Sequence, residues 1–231
     1  MEIRILHLLE GARAARGLTV IIDVFRAFSL ECYLYDMGVK EIHPVGTIEE
    51  AFAMKEKLAD SVLIGERGGK KCDGFDYGNS PSSVSPQAVK GRCIVHTTSS
   101  GTQGIVNATG ADEIITGSLV NAKAIAQYIK AKQPAVVSLV CMGNAGVRPA
   151  LEDELCAEYI KSLLEDKEMP DIMQRAENLQ YNGGRHFFDE TKKEIFPQED
   201  FWLCIKCNQF PFVIQIKRDE QGYVTKRIDV L

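Results

Sequence analysis

The chain has 231 residues, 45% of them hydrophobic, which is enough to bury the core of a globular protein. Its formal net charge is −5 and it has no Lys- or Arg-rich block, which argues against nucleic acid or an anionic membrane as the main partner. We expect a single compact α/β unit over residues 1–231, with two intimate lobes, about 1–110 and 111–231, as the alternative. A homo-oligomer is compatible with these features.

The N-terminus and the cysteines predict a cytoplasmic protein. Residues 1–10 carry charges through their apolar run and lack a small-residue cleavage site, and no apolar run approaches the ~18 residues of a membrane span. The seven cysteines lie mostly in apolar surroundings, which is typical of reduced thiols rather than of a disulfide framework. Cys204 and Cys207 form a C-x-x-C inside an apolar run that predicts a strand, where they would point to opposite faces. That spacing, without a second cysteine pair, disfavours a zinc or redox role.

Strands and helices alternate along most of the chain. Apolar, β-branched runs such as Leu18–Val24 predict buried strands, and apolar residues at helical spacing predict helices. Thr47 and Glu50 form a capping box at the start of one helix. In chain order the predicted elements are a strand at 18–24, a helix at 27–37, a strand at 39–45, a helix from 47 to about 59, a strand at 62–64, a short helix from 86, a strand at 93–95, a helix at 103–108, a strand at 113–116, a helix at 122–131, a strand at 135–140, a helix at 151–164 and strands at 201–205, 211–217 and 223–228. The pattern fades over residues 165–200.

This alternation predicts an α/β protein with a largely parallel sheet flanked by helices. The carboxyl ends of parallel strands lie along one edge of such a sheet, where ligands bind. Several polar residues follow directly after predicted strands, so we expect them to share this edge. They are Asp23, Arg26, Glu66, Arg67, Thr97 to Thr102, Ser118 and the residues from Gly143 to Asp153.

The stretch Cys93–Thr102 is the most distinctive of these junctions. A strand ends in the sequence TTSSGT at residues 97–102, and a helix-compatible segment follows at once. Backbone N–H groups converge at such a junction and the helix dipole favours negative charge, which predicts a cradle for an anion such as phosphate. The alternative is that the hydroxyl groups simply cap the helix.

Carboxylates and arginines accompany this stretch. The carboxylates are Asp23, Glu66, Asp76, Glu152 and Asp153, and the arginines are Arg26 and Arg67. Hard oxygen donors without a His/Cys cluster favour Mg²⁺, and arginines suit a bidentate grip on phosphate, sulfonate or carboxylate. Together they predict a metal-assisted phosphoryl site. The simpler alternatives are that Asp23 caps the next helix and that Arg67 orders a loop through an ion pair.

Five blocks of sequence carry a resemblance to a known family. They are Val20–Ala27 (VIIDVFRA), Gly65–Arg67 (GER), Gly74–Pro81 (GFDYGNSP), Thr97–Thr102 (TTSSGT) and Glu152–Cys156 (EDELC). As a linked set, over about residues 18 to 160, they resemble the signature blocks of the 2-phosphosulfolactate phosphatase (ComB) family. The segment after Arg26 reads Ala-Phe-Ser where Ala-Thr-Thr-type residues are expected, and the stretch after Glu165 takes no part in the resemblance.

The resemblance implies a Mg²⁺-dependent acid phosphatase that hydrolyses 2-phospho-3-sulfolactate to sulfolactate and phosphate, a step toward coenzyme M. It also implies an unusual α/β fold with a parallel or mixed sheet, rather than a standard Rossmann domain. By hypothesis, the catalytic residues are Asp23 and Arg26, the metal ligands Glu66, Asp76 and Asp153, and the residues that bind the small anionic substrate Arg67, Asn79, Ser80, Thr97, Thr98, Ser99, Ser100, Gly101, Thr102 and Ser118. The alternatives are a non-catalytic receptor for a phosphorylated or sulfonated acid, and a phosphatase for another phospho-hydroxy acid.

Overall fold

The structure, a computed structural model, describes residues 1–58 and 60–230. Its strands are β1 (Glu2–His7), β2 (Gly17–Ile22), β3 (Glu41–Pro44), β4 (Val62–Arg67), β5 (Lys70–Lys71), β6 (Cys93–Thr97), β7 (Ala111–Gly117), β8 (Val136–Cys141), β9 (Phe212–Asp219) and β10 (Gly222–Asp229). Its α-helices are α1 (Leu8–Ala14), α2 (Ala27–Asp36), α3 (Ile48–Lys57), α4 (Pro86–Val89), α5 (Gly101–Asn107), α6 (Ala122–Lys132), α7 (Leu151–Leu164), α8 (Ile172–Asn178) and α9 (Gln198–Cys204). Short 3-10 turns join some of these elements.

Within the described residues the strands form two sheets, whereas the sequence predicted one. The larger sheet has the order β1-β8-β2-β7-β9-β10; the first four strands are parallel, and β9 is antiparallel to both of its neighbours, β7 and β10. The smaller has the order β3-β6-β4-β5, with β5 antiparallel to β4. The predicted α/β class with a mixed sheet is therefore confirmed, and the strand order is not that of a Rossmann domain. The larger sheet contains strands from both ends of the chain. The two sheets are therefore not made of the residues before and after about residue 110.

Strand β2 lies inside the larger sheet, between β7 and β8. Val20 and Ile22 are fully buried in the hydrophobic cluster on one face, and Ile21 is fully buried with Phe28 on the other. A strand with apolar residues on both faces suits this interior position. The apolar run is interrupted at its C-terminal end by Asp23, so this carboxylate lies where the sheet ends.

The segment predicted as a strand at 201–205 is helical instead. Phe201 and Cys204, three residues apart, are buried, whereas Trp202 between them is 38% exposed, which is helical spacing. Pro197 precedes α9, and Glu199 and Asp200 lie in its first turn, so the start signals of a helix were present. The apolar run was too short to distinguish the two periods.

The capping box predicted at Thr47 is confirmed. The Thr47 hydroxyl accepts a hydrogen bond from the Glu50 amide at 3.1 Å, and the Glu50 carboxylate accepts one from the Thr47 amide at 3.0 Å. Helix α3 begins at Ile48, directly after the N-cap residue Thr47, and its predicted end near Ala59 lies outside the described residues. Over residues 1–58 and 60–230, the chain has no helix that is both long enough and apolar enough to cross a membrane.

Candidate active site

A cavity of about 840 Å³ opens where the carboxyl ends of strands from the two sheets meet. Asp23 follows β2, Glu66 lies at the end of β4, Ser99 and Ser100 follow β6, and Gly143 follows β8, and all five residues line the cavity. The carboxyl ends of parallel strands carry the ligand sites of α/β proteins. The sequence predicted that one sheet would form this edge, whereas strand ends from two sheets form it.

Three carboxyl groups are crowded into one wall of the cavity. Asp23, Glu152 and Asp153 are 6%, 8% and 2% exposed. Burial raises the pKa of Asp23 to about 7, with a further contribution from the charge of Glu66, and burial together with the charge of Asp23 raises the pKa of Glu152 to about 7. Burial, then Asp23 and Glu152, raise the pKa of Asp153 well above its usual range. The three groups therefore repel one another when all are ionised.

Backbone amides hold two of these carboxylates in place. Asp153 accepts hydrogen bonds from the amides of Val24 at 2.9 Å and Gly143 at 2.8 Å, and Asp23 accepts one from the amide of Ala27 at 3.1 Å. Glu152 differs, because its buried Oε2 has no hydrogen-bond partner. Carboxylates with a free oxygen are the donors that a hard divalent cation such as Mg²⁺ prefers, so the residue types fit the metal implied by the resemblance. Among the described residues, however, no three of the cavity carboxylates bring their oxygens within 4.8 Å of one another, so they are not a preformed ligand cluster. The predicted ligands were Glu66, Asp76 and Asp153, whereas in this wall Glu152 and Asp23 lie beside Asp153.

These carboxyl groups predict how the stability of the metal-free protein depends on pH. Unfolded Asp and Glu titrate near pH 4, whereas Asp23 and Glu152 in the folded protein titrate near 7. Between about pH 4 and 7 the folded state binds more protons than the unfolded state, so the free energy of unfolding falls as the pH rises through this window. We expect a loss on the order of 2–3 kcal/mol per group, measured by urea unfolding in EDTA at about pH 5 and pH 8. The Glu152→Gln variant should lose less unfolding free energy between these two pH values than the wild type. An unchanged pH dependence in that variant would contradict the raised pKa of Glu152.

The loop predicted as an anion cradle holds the protein's own carboxylates. Glu66 accepts hydrogen bonds from the amides of Ser99 at 2.7 Å and Gly69 at 2.6 Å, and Asp23 lies close to Gly101. The N–H groups of Ser99 and Gly69 therefore already serve an acceptor within the chain. The structure favours a loop that positions the cavity carboxylates over a loop whose amides are free to bind an anion.

The hydroxyl groups of this loop are mostly occupied. The Thr98 and Thr102 side chains bond to each other's backbone amides, and Thr97 accepts a hydrogen bond from Arg67. The Ser100 hydroxyl donates to the carbonyl of Gly143 at 2.7 Å. Of the six residues from Thr97 to Thr102, Ser99 and Ser100 line the cavity.

Two glycines allow the close approaches that this arrangement requires. A Cβ on Gly101 would lie 2.9 Å from the ring of Phe28 and 3.0 Å from Oδ2 of Asp23, so the start of α5 reaches this carboxylate because no side chain intervenes. Gly143 has φ of 64°, and the carbonyl of Arg148 occupies the place that its Cβ would take.

The two predicted arginines differ in position. Arg26 lines the cavity, but its guanidinium is 2.8 Å from the carboxylate of Asp200, donates to the carbonyls of Ile195 and Gly69 and lies 4.9 Å from the ring centre of Phe196. Its charge is thus largely countered within the protein. Arg67 donates to Gly46 and Thr97 and faces a separate, shallower pocket of about 510 Å³. The structure does not bring Arg67 to the carboxylate cavity.

Three further predicted residues lie away from the cavity. Asp76 is exposed and accepts a hydrogen bond from the amide of Leu63 at 2.8 Å, near the start of β4, whereas Glu66 is near its end. Ser80 donates to Asp200 at 3.0 Å. Ser118 is fully buried and caps a 3-10 turn. A Mg²⁺ ligand role for Asp76 and substrate contacts for Ser80 and Ser118 therefore find no support in the geometry.

Asn79 lies in the cavity wall at the end of a buried polar chain. The carboxylate of Glu31 is 2.9 Å from Nδ1 of His96, and Nε2 of His96 is 3.1 Å from Oδ1 of Asn79. Glu31 and His96 are fully buried and Asn79 is 4% exposed. When Nε2 donates to Oδ1, the Asn79 amide group is fixed with its N–H donors turned away from His96. Asn79 is thus held in a fixed orientation at the cavity.

Sequence reasoning assigned no individual role to three further polar residues of the cavity. Arg148, Lys192 and His186 line it, and burial together with the charge of Arg26 lowers the pKa of His186 to about 4, so this imidazole is neutral. Arg148 lies in the loop after β8, which the strand prediction already placed at the edge. Lys192 and His186 belong to the segment without periodicity, where no local signal marked them.

The chain is similar to known proteins over most of its length. The 2-phosphosulpholactate phosphatase family model matches residues 5–219. The chain belongs to this family. The match continues past residue 160 into the segment that supplies Lys192 and Asp200 to the site. The family is one of phosphoric monoester hydrolases, so the predicted class of enzyme is confirmed.

Individual relatives resemble the chain over much of its length. A protein of Bacillus subtilis (strain 168) named probable 2-phosphosulfolactate phosphatase is 30% identical over 217 residues, which are 93% of each chain. Proteins of the same name from Carboxydothermus hydrogenoformans and Clostridium acetobutylicum are 36% identical over 177 residues (76% of this chain and 73% of the relative) and 35% identical over 213 residues (87% and 90%).

Proposed function

We propose that the protein is a Mg²⁺-dependent phosphatase that hydrolyses 2-phospho-3-sulfolactate to 3-sulfolactate and phosphate, the type of step that leads toward coenzyme M. Family membership supports the reaction class, and the names of the relatives support the substrate. The observation that carries the proposal is the crowded set of buried carboxylates Asp23, Glu152 and Asp153 in the cavity.

The charge of the cavity favours a metal-dependent enzyme over a simple anion receptor. Four carboxylates line it, against Arg148, Lys192 and an Arg26 whose charge is countered by Asp200. A substrate with phosphate, sulfonate and carboxylate groups would be repelled by such a wall unless a cation neutralised it. A receptor for free anions gains nothing from this arrangement.

The residues divide between holding the metal and acting on the substrate. Glu152 and Asp153 would hold Mg²⁺, with Glu66 beside them; when bound, this ion would supply a Lewis acid that polarises the phosphoryl group. Asp23 either takes a proton from the attacking water or attacks phosphorus directly. Arg148 and Lys192, exposed at the cavity, attract the anionic groups of the substrate.

The test is phosphate release from 2-phospho-3-sulfolactate by purified protein with Mg²⁺ and with EDTA. We expect turnover that requires the metal. Phospholactate and phosphoglycolate lack the sulfonate, so comparing their turnover measures how much the sulfonate contributes to turnover. Tight binding of the substrate without release in Mg²⁺ would instead support the receptor. Faster turnover of phospholactate than of the sulfonate would assign a different phospho-hydroxy acid.

The role of Asp23 is tested separately by rapid acid quench with ³²P-labelled substrate. Direct attack would leave hydroxylamine-sensitive label on the protein, because an acyl phosphate forms on the carboxylate. Activation of water would leave the protein unlabelled while phosphate is still released.

A further inference from the structure

Three side chains with metal-binding groups lie together at the far end of the smaller sheet. Glu41 and His43 are two residues apart in β3 and therefore project from the same face, and Cys93, the first residue of β6, pairs with Glu41 in the strand register. The cavity lies beyond Thr97, at the other end of β6, about 13 Å along the strand. These three residues do not line the cavity.

The donor atoms are spaced as the ligands of a zinc ion are. Sγ of Cys93 is 3.2 Å from Oε1 of Glu41, and Nε2 of His43 is 3.5 Å from the same oxygen. A ligand atom from each residue lies within 4.8 Å of the others. Bonds of about 2.0–2.3 Å from zinc to nitrogen, oxygen and sulfur separate tetrahedral ligands by about 3.3–3.6 Å. The strands already hold two of the three pairs of donor atoms near this spacing, and the third pair lies within 4.8 Å.

His43 supplies an independent indication of a missing ligand. The residue is 2% exposed, and neither Nδ1 nor Nε2 has a hydrogen-bond partner in the structure. Buried polar atoms are nearly always bonded, because an unpaired one costs the free energy of its lost contact with water. A metal ion beside Nε2 would satisfy this nitrogen.

We propose that Glu41, His43 and Cys93 bind Zn²⁺ or a similar borderline-soft divalent ion. Thiolate and imidazole ligands select such ions over Mg²⁺, which prefers the all-oxygen donors of the cavity. One thiolate and one carboxylate balance the charge of the ion, and the Cys93 thiol releases its proton to solvent as the S–metal bond forms.

The surroundings leave room for this ion. Glu41 and Cys93 are partly exposed, so a water completes a fourth position. Nζ of Lys40 is 3.5 Å from Glu41, but the Lys40 side chain is 64% exposed and can turn into solvent. The ion would tie β3 to β6, and it acts independently of the phosphatase chemistry proposed above.

Cobalt provides a direct test, since Co²⁺ occupies zinc sites and its absorption reports the ligands. Co²⁺ is added to metal-free protein without Mg²⁺ or substrate. We expect one equivalent to produce a thiolate-to-cobalt charge-transfer band with tetrahedral d–d bands, displaced by Zn²⁺ and not by excess Mg²⁺. Cys93→Ser should abolish the charge-transfer band, and His43→Asn should weaken binding at least about tenfold.

Cys141→Ser is the matched control. Cys141 lies in the other described three-residue cluster of this kind, with His7 and Glu154, but there Nδ1 of His7 already bonds to Glu154 at 2.8 Å. The charge-transfer band should survive this substitution. The proposal is overturned if the band is absent at one equivalent, persists in Cys93→Ser or disappears in Cys141→Ser. Circular dichroism of each variant verifies the fold, and should His43→Asn not fold, the near-isosteric Cys93→Ser decides alone.

Discussion

Asp23→Asn is expected to lower the turnover number for phosphate release by about 10³-fold, because in the proposed mechanism the carboxylate acts on the reacting phosphorus or its water. Asp23 lines the cavity and its pKa is raised to about 7, which suits a group that takes up a proton near neutral pH. Asparagine keeps the shape of the side chain and an oxygen for the amide of Ala27, but it is neither base nor nucleophile. The measurement is steady-state phosphate release at saturating Mg²⁺ and substrate.

Asp76→Asn is the control for this result. Asp76 belongs to the same set of predicted carboxylates, yet it is exposed and lies near the opposite end of β4 from Glu66. We expect its turnover to stay within a few-fold of the wild type. A loss in Asp76→Asn as large as that in Asp23→Asn would contradict the placement of the site in the carboxylate cavity. Retention of wild-type turnover by Asp23→Asn would remove Asp23 from the mechanism.

The sequence predicted the features that depend on neighbouring residues. The apolar run before Asp23 and the capping box at Thr47 involve residues a few positions apart, and local hydrogen bonding and burial decide them. Asp23 and Glu66 could be assigned to the sheet edge for the same reason, since each lies where a predicted strand ends. The five linked sequence blocks indicated the family.

Features that depend on distant pairings could not be predicted. Two sheets form in place of one because β2 pairs with β7 and β8 while β3 and β4 pair with β6, and no short-range pattern encodes that choice. Likewise, the residues near Glu66 gave no sign that the Ser99 amide would be used by its carboxylate. Arg26 was predicted to grip the substrate, although its guanidinium is held by Asp200, 174 residues away.

Asp200→Ala is expected to lower the free energy of unfolding by about 3–5 kcal/mol, because it leaves Arg26 as a buried charge without its partner. The side chains of Arg26 and Asp200 are 3% and 0% exposed and lie 2.8 Å apart. The other Asp200 oxygen accepts hydrogen bonds from both Ser80 and Ser82, so the loop around residue 80 loses its anchor as well. Urea unfolding measures the loss, with the exposed pair Arg175 and Glu158 as control: Glu158→Gln should cost less than about 1 kcal/mol.

A double substitution separates the role of this ion pair in stability from its role at the cavity. Arg26→Met combined with Asp200→Leu removes both charges, so we expect it to recover a large part of the stability lost in Asp200→Ala, since a buried pair replaced by apolar groups costs far less than one left half-broken. Phosphatase activity of the double variant should nevertheless be low, because Arg26 lines the cavity and fixes the carbonyl of Gly69, whose amide in turn bonds to Glu66. Recovery of stability without recovery of turnover would show that the pair positions the active site. A loss below about 1 kcal/mol in Asp200→Ala would show instead that the buried arginine finds another partner.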